Sequence, residues 1–353
     1  MPPVVFAQLR DKSGPLTGNP SPLSITEERP VTFPAYLDTG SSGHVLSSNT
    51  AEQFGVKQEK NAVYVEVGLH GKTTMKVSEQ YDLFLSGSTG SVMNPAADGT
   101  PELVQKRVRF QVSKAAGMGN ILSIAEQNII GMPAIKKMFI TIEPGLTEGK
   151  NTISDINVKL SKNGTIPRSA DAIINLEYID YNNRKNKDNI PPLPDLAANP
   201  MITGVSLKNN SKISHGNWLL DTGAVASIIS TSKARELGLL DPDGKEIIKP
   251  SFRLPLSGIS GEIKYAPGYV LDELRIPCKN NRVLSFTDIS VVVQDVTTSL
   301  DNGDLVTLDG VLGLNLFFPS MSIPITFDSK VGDPPFAAIW IDGIHGRLGL
   351  KIN

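Results

Sequence analysis

The chain has 353 residues, 40% of them hydrophobic and 20% charged, which is long enough for two domains that each bury a core. Lys and Arg number 34 against 36 Asp and Glu, a net charge of −2, so no net field gathers nucleic acid or an anionic membrane. No uninterrupted apolar stretch reaches the ~20 residues of a membrane helix, so no integral membrane segment is expected.

The single cysteine, Cys278, excludes an intramolecular disulfide and reads as a semi-buried structural thiol, because a nucleophilic cysteine needs a nearby base. The four His show no ligand spacing such as His-Glu-x-x-His, and no Gly-x-Ser-x-Gly elbow is present, so neither metal, cofactor nor serine chemistry is expected. The start, MPPVVFAQLRD, lacks the basic run and apolar core of a signal peptide. That leaves a cytoplasmic protein or a secreted or periplasmic one whose signal has been removed, the second being preferred.

In chain order, PVVFAQLR from Pro3 reads as a strand and residues 14–30 as a Pro/Gly/Ser-rich connection, ending at VTFPAYL. That apolar run delivers Asp38-Thr39-Gly40, followed by Val45-Leu46, a Ser/Thr cluster able to cap a helix, and a helical stretch ending at Gly55. AVYVEVGLHGKTTMKV then alternates around Gly68-Leu69-His70-Gly71, the signature of a hairpin with a glycine-rich tip. Residues 86–101 read as a surface excursion, VRFQV and NIIGMPAI as strands. Residues 144–199 match nothing else in the chain: they hold a possible strand, AIINLEYIDY, a charged run NNRKNKD read as a solvated loop, and PPLPD. PMITGVSLK from Pro200 opens a second series, in which NWLL delivers Asp221-Thr222-Gly223, followed by Ile228-Ile229, Ser230 and a helical stretch ending at Gly238. FRLPLSGISGEIKYAP around residues 258–261 repeats the hairpin, and LDGVLGLNLFFP, MSIPITF and AAIWIDGIHGRLGLKIN close the chain as strand-like runs. Trp218 and Trp340 within them read as packing residues.

One Asp-Thr-Gly alone is an ordinary turn. Here the Asp and the capping Gly recur at the same offset, Asp38 with Asp221 and Gly55 with Gly238, both 183 apart. Ile129-Ile130-Gly131 is echoed by Val311-Leu312-Gly313, and MFITI from Met138 by MSIPI from Met321. The chain is an internal duplication that presents two carboxylates in matched loops.

These features resemble the pepsin-type aspartic proteases over both halves. The resemblance implies an all-β, bilobal, pepsin-like acid protease fold: two duplicated β-barrel-like lobes with the cleft between them. The N-terminal lobe is expected over residues 1–143, an interlobe connection over 144–199 and the C-terminal lobe over 200–353. It further implies that Asp38 and Asp221 are catalytic, that Thr39 and Thr222 bond across the interface, and that Gly40 and Gly223 let the backbone approach the carboxylates, with Ser41 also in the first loop. Gly68, Leu69, His70 and Gly71 would form the substrate-binding flap. The chain departs from pepsins in lacking a Tyr beside the flap turn, the nearest being Tyr64; that tip and Ala224 after the second Asp-Thr-Gly look more like retroviral-type enzymes.

Two close carboxylates share one proton, so one acts as base and the other as acid. The expected function is therefore an aspartic endopeptidase, a monomer acting on a peptide or protein substrate and bound by pepstatin-type inhibitors. The alternative is a catalytically inactive peptide- or protein-binding member of the same fold. Three residues after each Asp stand Ser41 and Ala224. If the Ser41 hydroxyl donates to its carboxylate, the missing donor at 224 raises the dyad's pKa, and activity is expected at mildly acid to near-neutral pH.

Overall fold

Phe33–Leu37 alternates inward Phe33, Ala35 and Leu37 with outward Pro34 and Tyr36, so one face packs into the core while the strand's end projects Asp38. The structure is a computed structural model and describes residues 2–19, 30–69, 71–89, 92–94, 101–113, 127–146, 153–257, 263–300, 302–318 and 335–353. The tip residue His70, hairpin residues 258–261, the MSIPI repeat and parts of the 14–30 and 86–101 segments lie outside them.

Among the described residues the strands form one sheet of sixteen, one of eight and a two-stranded ribbon. The fold is all-β, as expected. In the large sheet Phe33–Leu37 runs parallel to Ile129–Ile130, with Leu37 opposite Ile130, and Ile129 pairs antiparallel with Val45. In the second sheet Lys212–Leu220 runs parallel to Gly310–Leu312, with Leu220 opposite Leu312, and Ile228 pairs antiparallel with Val311. Each half thus threads its Asp-Thr-Gly between two strands that fix its start and finish. The matching bonds are Asp38 N–H to the Ile130 carbonyl at 3.0 Å and Asp221 N–H to the Leu312 carbonyl at 3.1 Å.

Both expected helices form. Ser48–Gln53 is capped by the Ser47 hydroxyl, which accepts from Thr50 N–H, and Thr231–Glu236 by Ser230, which accepts from Lys233 N–H. Gly55 and Gly238 end them in the left-handed region, φ +62° and +71°, where a Cβ is disfavoured. MPAI does not continue a strand: Met132–Ile135 is a helical turn with Pro133 in its first positions, where proline's missing N–H costs nothing. VRFQV is also split, into Leu103–Val108 and Gln111–Val112.

The middle segment is built in more deeply than its composition suggests. Asn182 and Asn183, at the head of the NNRKNKD run, are buried, whereas Arg184 and Lys185 are exposed. The Asn183 side chain donates to the Val65 carbonyl at 2.9 Å and accepts from the Ser299 hydroxyl at 2.8 Å. Val63 and Ile190 exchange two backbone bonds. The run therefore braces the base of the Gln58–Gly68 hairpin strand instead of lying free in water. The last two strands leave the second sheet: Phe336–Asp342 pairs with Phe139–Leu146, and Arg347–Ile352 with Ala172–Asn175. Trp218 and Trp340 are buried packing residues, and Cys278 is half-buried with its thiol pushed up by burial.

Candidate active site

The two Asp-Thr-Gly loops meet tip to tip. The Thr39 hydroxyl donates to the Leu220 carbonyl at 2.6 Å, and the Thr222 hydroxyl donates to the Leu37 carbonyl at the same distance. Each hydroxyl also accepts the other loop's N–H, Thr222 to Thr39 at 3.0 Å and Thr39 to Thr222 at 3.1 Å. Both threonines are buried, so these four bonds form in a shielded site where an unmade bond is costly.

That interlock sets the carboxyls face to face, close enough for each to act on the other's titration. Asp38 accepts from Gly40 N–H at 2.7 Å; Asp221 accepts from Gly223 N–H at 2.8 Å and Ala224 N–H at 2.9 Å. Burial first, then the charge of Asp221, pushes Asp38 well above the usual carboxylate range, and burial raises Asp221 as well. The backbone donors oppose this without cancelling it. The pair therefore holds one proton into a less acid range than free carboxyls would.

The Ser41 hydroxyl does not do what its position suggests. It donates to the Gly43 carbonyl at 2.9 Å, so the supposed hydroxyl donor to Asp38 is absent, and Ala224 marks no lost bond. What acts on Asp38 from residue 41 is the backbone N–H.

A cavity of about 510 Å³ opens over the dyad, lined by Asp38, Gly40, Ser41, Asp221 and Gly223 from the loops and by Glu66, Gly68 and Leu69 from the hairpin. Its remaining wall is mostly apolar, including Ile129, Val225, Ile228, Leu308 and Val311. Leu69 packs against the apolar cluster of the second half, so the hairpin spans the cleft. Gly71, which pairs with Gly68 at the end of the hairpin, has φ +116°, and is not among the cavity-lining residues. Tyr64 is fully buried and accepts from Asn183 N–H at 3.0 Å, so it belongs to the brace and not to the cavity. A second cavity of about 530 Å³, beside Cys278, Arg282 and Lys351, contains none of the expected site residues.

Sequence reasoning passed over three residues here. Asn199 donates to the Thr39 carbonyl at 3.0 Å and accepts from the Ser42 hydroxyl at 2.6 Å, tying residues 39 and 42 together. His44 is fully buried behind the first loop, its Nδ1 accepting from Gly131 N–H at 3.2 Å. Its counterpart 183 residues on, Ser227, accepts from Gly313 N–H at 3.1 Å, so the duplication offset itself could have pointed to it. The third is Glu66, half-buried at the cavity wall and pushed up to about 7 by burial. Among the described residues no group of His, Cys, Asp and Glu is arranged to hold a metal ion, and no helix is long and apolar enough to cross a membrane.

Residues 205–316 match the family model described as aspartyl protease, a span that includes Asp221 and its supporting strands but not Asp38. No curated protein matches the sequence. Among solved structures, the crystal structure of Basic 7S globulin from soybean is similar with a TM-score of 0.41 and 10% identity, covering 99% of this chain and 95% of that one. The second Asp-Thr-Gly loop, with the strands that hold it, therefore has the sequence pattern of the aspartyl protease family.

Proposed function

We propose that the protein is an aspartic endopeptidase in which Asp38 and Asp221 act together on a water between them. The single observation that carries this reading is the pair of half-buried carboxyls held face to face by the reciprocal threonine bonds, each close enough to shift the other's titration. The ionised member takes a proton from water as its oxygen attacks the peptide carbonyl, while the protonated member donates to the carbonyl oxygen as negative charge develops there. The proton gained by the base then passes to the leaving nitrogen as the carbon–nitrogen bond breaks. Because the two environments are nearly alike, the proton belongs to the pair, and pH titrates the pair as a unit.

The cavity's apolar wall suits an extended peptide with apolar side chains around the scissile bond, with Gly68 and Leu69 closing over it. Both raised carboxyls support activity at mildly acid to near-neutral pH. The reading is tested by cleavage of an unfolded protein from pH 3 to 8, with wild type beside Asp38→Asn and Asp221→Asn and with a pepstatin-type inhibitor. Cleavage abolished in both variants and by the inhibitor supports the dyad enzyme. A wild type that cleaves nothing and binds no inhibitor at any of these pH values overturns it in favour of a binding protein.

A further inference from the structure

The dyad mechanism uses two carboxyls, yet the cavity holds a third. Glu66 lies on the hairpin strand, facing the space above Asp38 and Asp221. Among the described residues no Lys, Arg or His forms an ion pair with it. The groups that act on it are the N–H of Val67 and the amide of Gln111, with Tyr64 nearby on the same strand and Thr73 opposite on the partner strand.

Gln111 is itself anomalous. It is fully buried, and neither its amide nitrogen nor its oxygen has a hydrogen-bond partner. It approaches Glu66 closely enough to favour the charged carboxylate without closing a bond of normal geometry. On its other side it lies over Gly43 of the first catalytic loop, where a Cβ would come within 2.6 Å of its nitrogen. A carboxyl with no cation among the described residues and an amide without a hydrogen bond of normal geometry thus stand together beside a mostly apolar cavity wall. Buried polar groups are ordinarily paired, and a half-buried carboxylate without a cation is the costlier of the two to leave so.

We propose that Glu66 is a specificity-determining residue that receives a Lys or Arg side chain of the bound peptide. This rests on the endopeptidase reading and deepens it: the preferred substrates carry apolar residues around the scissile bond and one basic residue within reach of Glu66. A cation there supplies the missing counter-charge and keeps the carboxylate ionised despite its burial. Glu66 takes no part in the proton transfers.

The test uses the whole chain and a set of eight-residue peptides with a reduced, uncleavable central bond, alike except that lysine replaces norleucine at one position at a time. Affinities are measured by calorimetry at pH 8, above the value of about 7 to which burial pushes Glu66, for wild type and Glu66→Gln. At one position wild type is expected to favour lysine by roughly tenfold or more, the size of one charge-assisted hydrogen bond in a shielded site, and Glu66→Gln to bring that ratio close to one. Peptides that bind with no lysine preference, or a preference that survives in Glu66→Gln, overturn the inference while leaving the endopeptidase reading in place. If none of the peptides binds, both fall together.

Discussion

Gly40 faces the Asp221 carboxyl so closely that a methyl group on its Cα would lie 2.4 Å from the carboxyl carbon, and Gly223 stands in the same relation to Asp38 at 2.5 Å. The glycines are needed for the crossed approach of the loops: each backbone fills the space beside the other half's carboxylate. Gly40→Ala or Gly223→Ala is expected to push the carboxyls out of register and lower the cleavage rate by about 10²-fold or more, the cost of an ångström-scale misplacement of reacting groups. Initial rates measured beside a thermal melt check this. A folded Gly40→Ala variant with wild-type rate would show that the carboxyl spacing is not what the glycine protects.

The threonine interlock allows a sharper substitution. Thr39→Val keeps the shape but leaves the Leu220 carbonyl and the Thr222 N–H without partners. At about 1–3 kcal/mol for each buried group left unpaired, the variant should lose on the order of 2–5 kcal/mol in denaturant unfolding, with activity falling alongside. Thr39→Ser restores the hydroxyl and should recover most of both. If valine and serine behave alike, the hydroxyl bonds are not what holds the loops.

Ala224→Ser tests the correction at Ser41. The hydroxyl at 41 goes to the carbonyl of Gly43. The matching carbonyl, that of Ala226, faces Gly313 as the Gly43 carbonyl faces Gly131. A serine at 224 is therefore expected to bond that carbonyl and leave Asp221 with its two backbone donors unchanged. The pH profile of cleavage should not move; a clear downward shift would show that the new hydroxyl reaches the carboxylate.

The parts of this site that the sequence made legible are those written in local pattern and offset: the paired aspartates, the capping serines Ser47 and Ser230, the terminating Gly55 and Gly238, and the apolar triplets ending in Gly131 and Gly313. The rest depends on contacts between residues far apart in the chain. Nothing in AIWID says that Phe139 will pair with Asp342. Asn183 looks like a solvated loop residue because its buried partners, Val65 and Ser299, lie more than a hundred positions away. The Ser41 bond is not legible in the sequence for a related reason. A hydroxyl has several acceptors within reach, and only the path of the loop decides between a carboxylate and a carbonyl.

His44 supplies a stability prediction with a definite sign. Its Nδ1 accepts from Gly131 N–H, so the ring proton sits on Nε2, which donates to the Gln105 side chain at 3.3 Å. The imidazole is thus held neutral; a second proton on Nδ1 would set donor against donor behind the first Asp-Thr-Gly loop. Burial, aided by the charge of Lys137, lowers its pKa to about 4. The unfolded chain takes up that proton near 6.5, so the contribution of neutral His44 is fully present above pH 6.5 and is lost as pH falls toward 4. On the order of 2–3 kcal/mol is at stake across that window. Asp38, Asp221 and Glu66 are raised by the fold, so their contributions are instead lost as pH rises, and the whole-protein curve mixes the two. The comparison that isolates His44 is the change in urea-unfolding free energy between pH 7 and pH 4.5 in wild type and in His44→Gln. Wild type should lose about 2 kcal/mol more than the variant over that interval; equal losses would mean that His44 is not the group whose protonation opposes folding in acid.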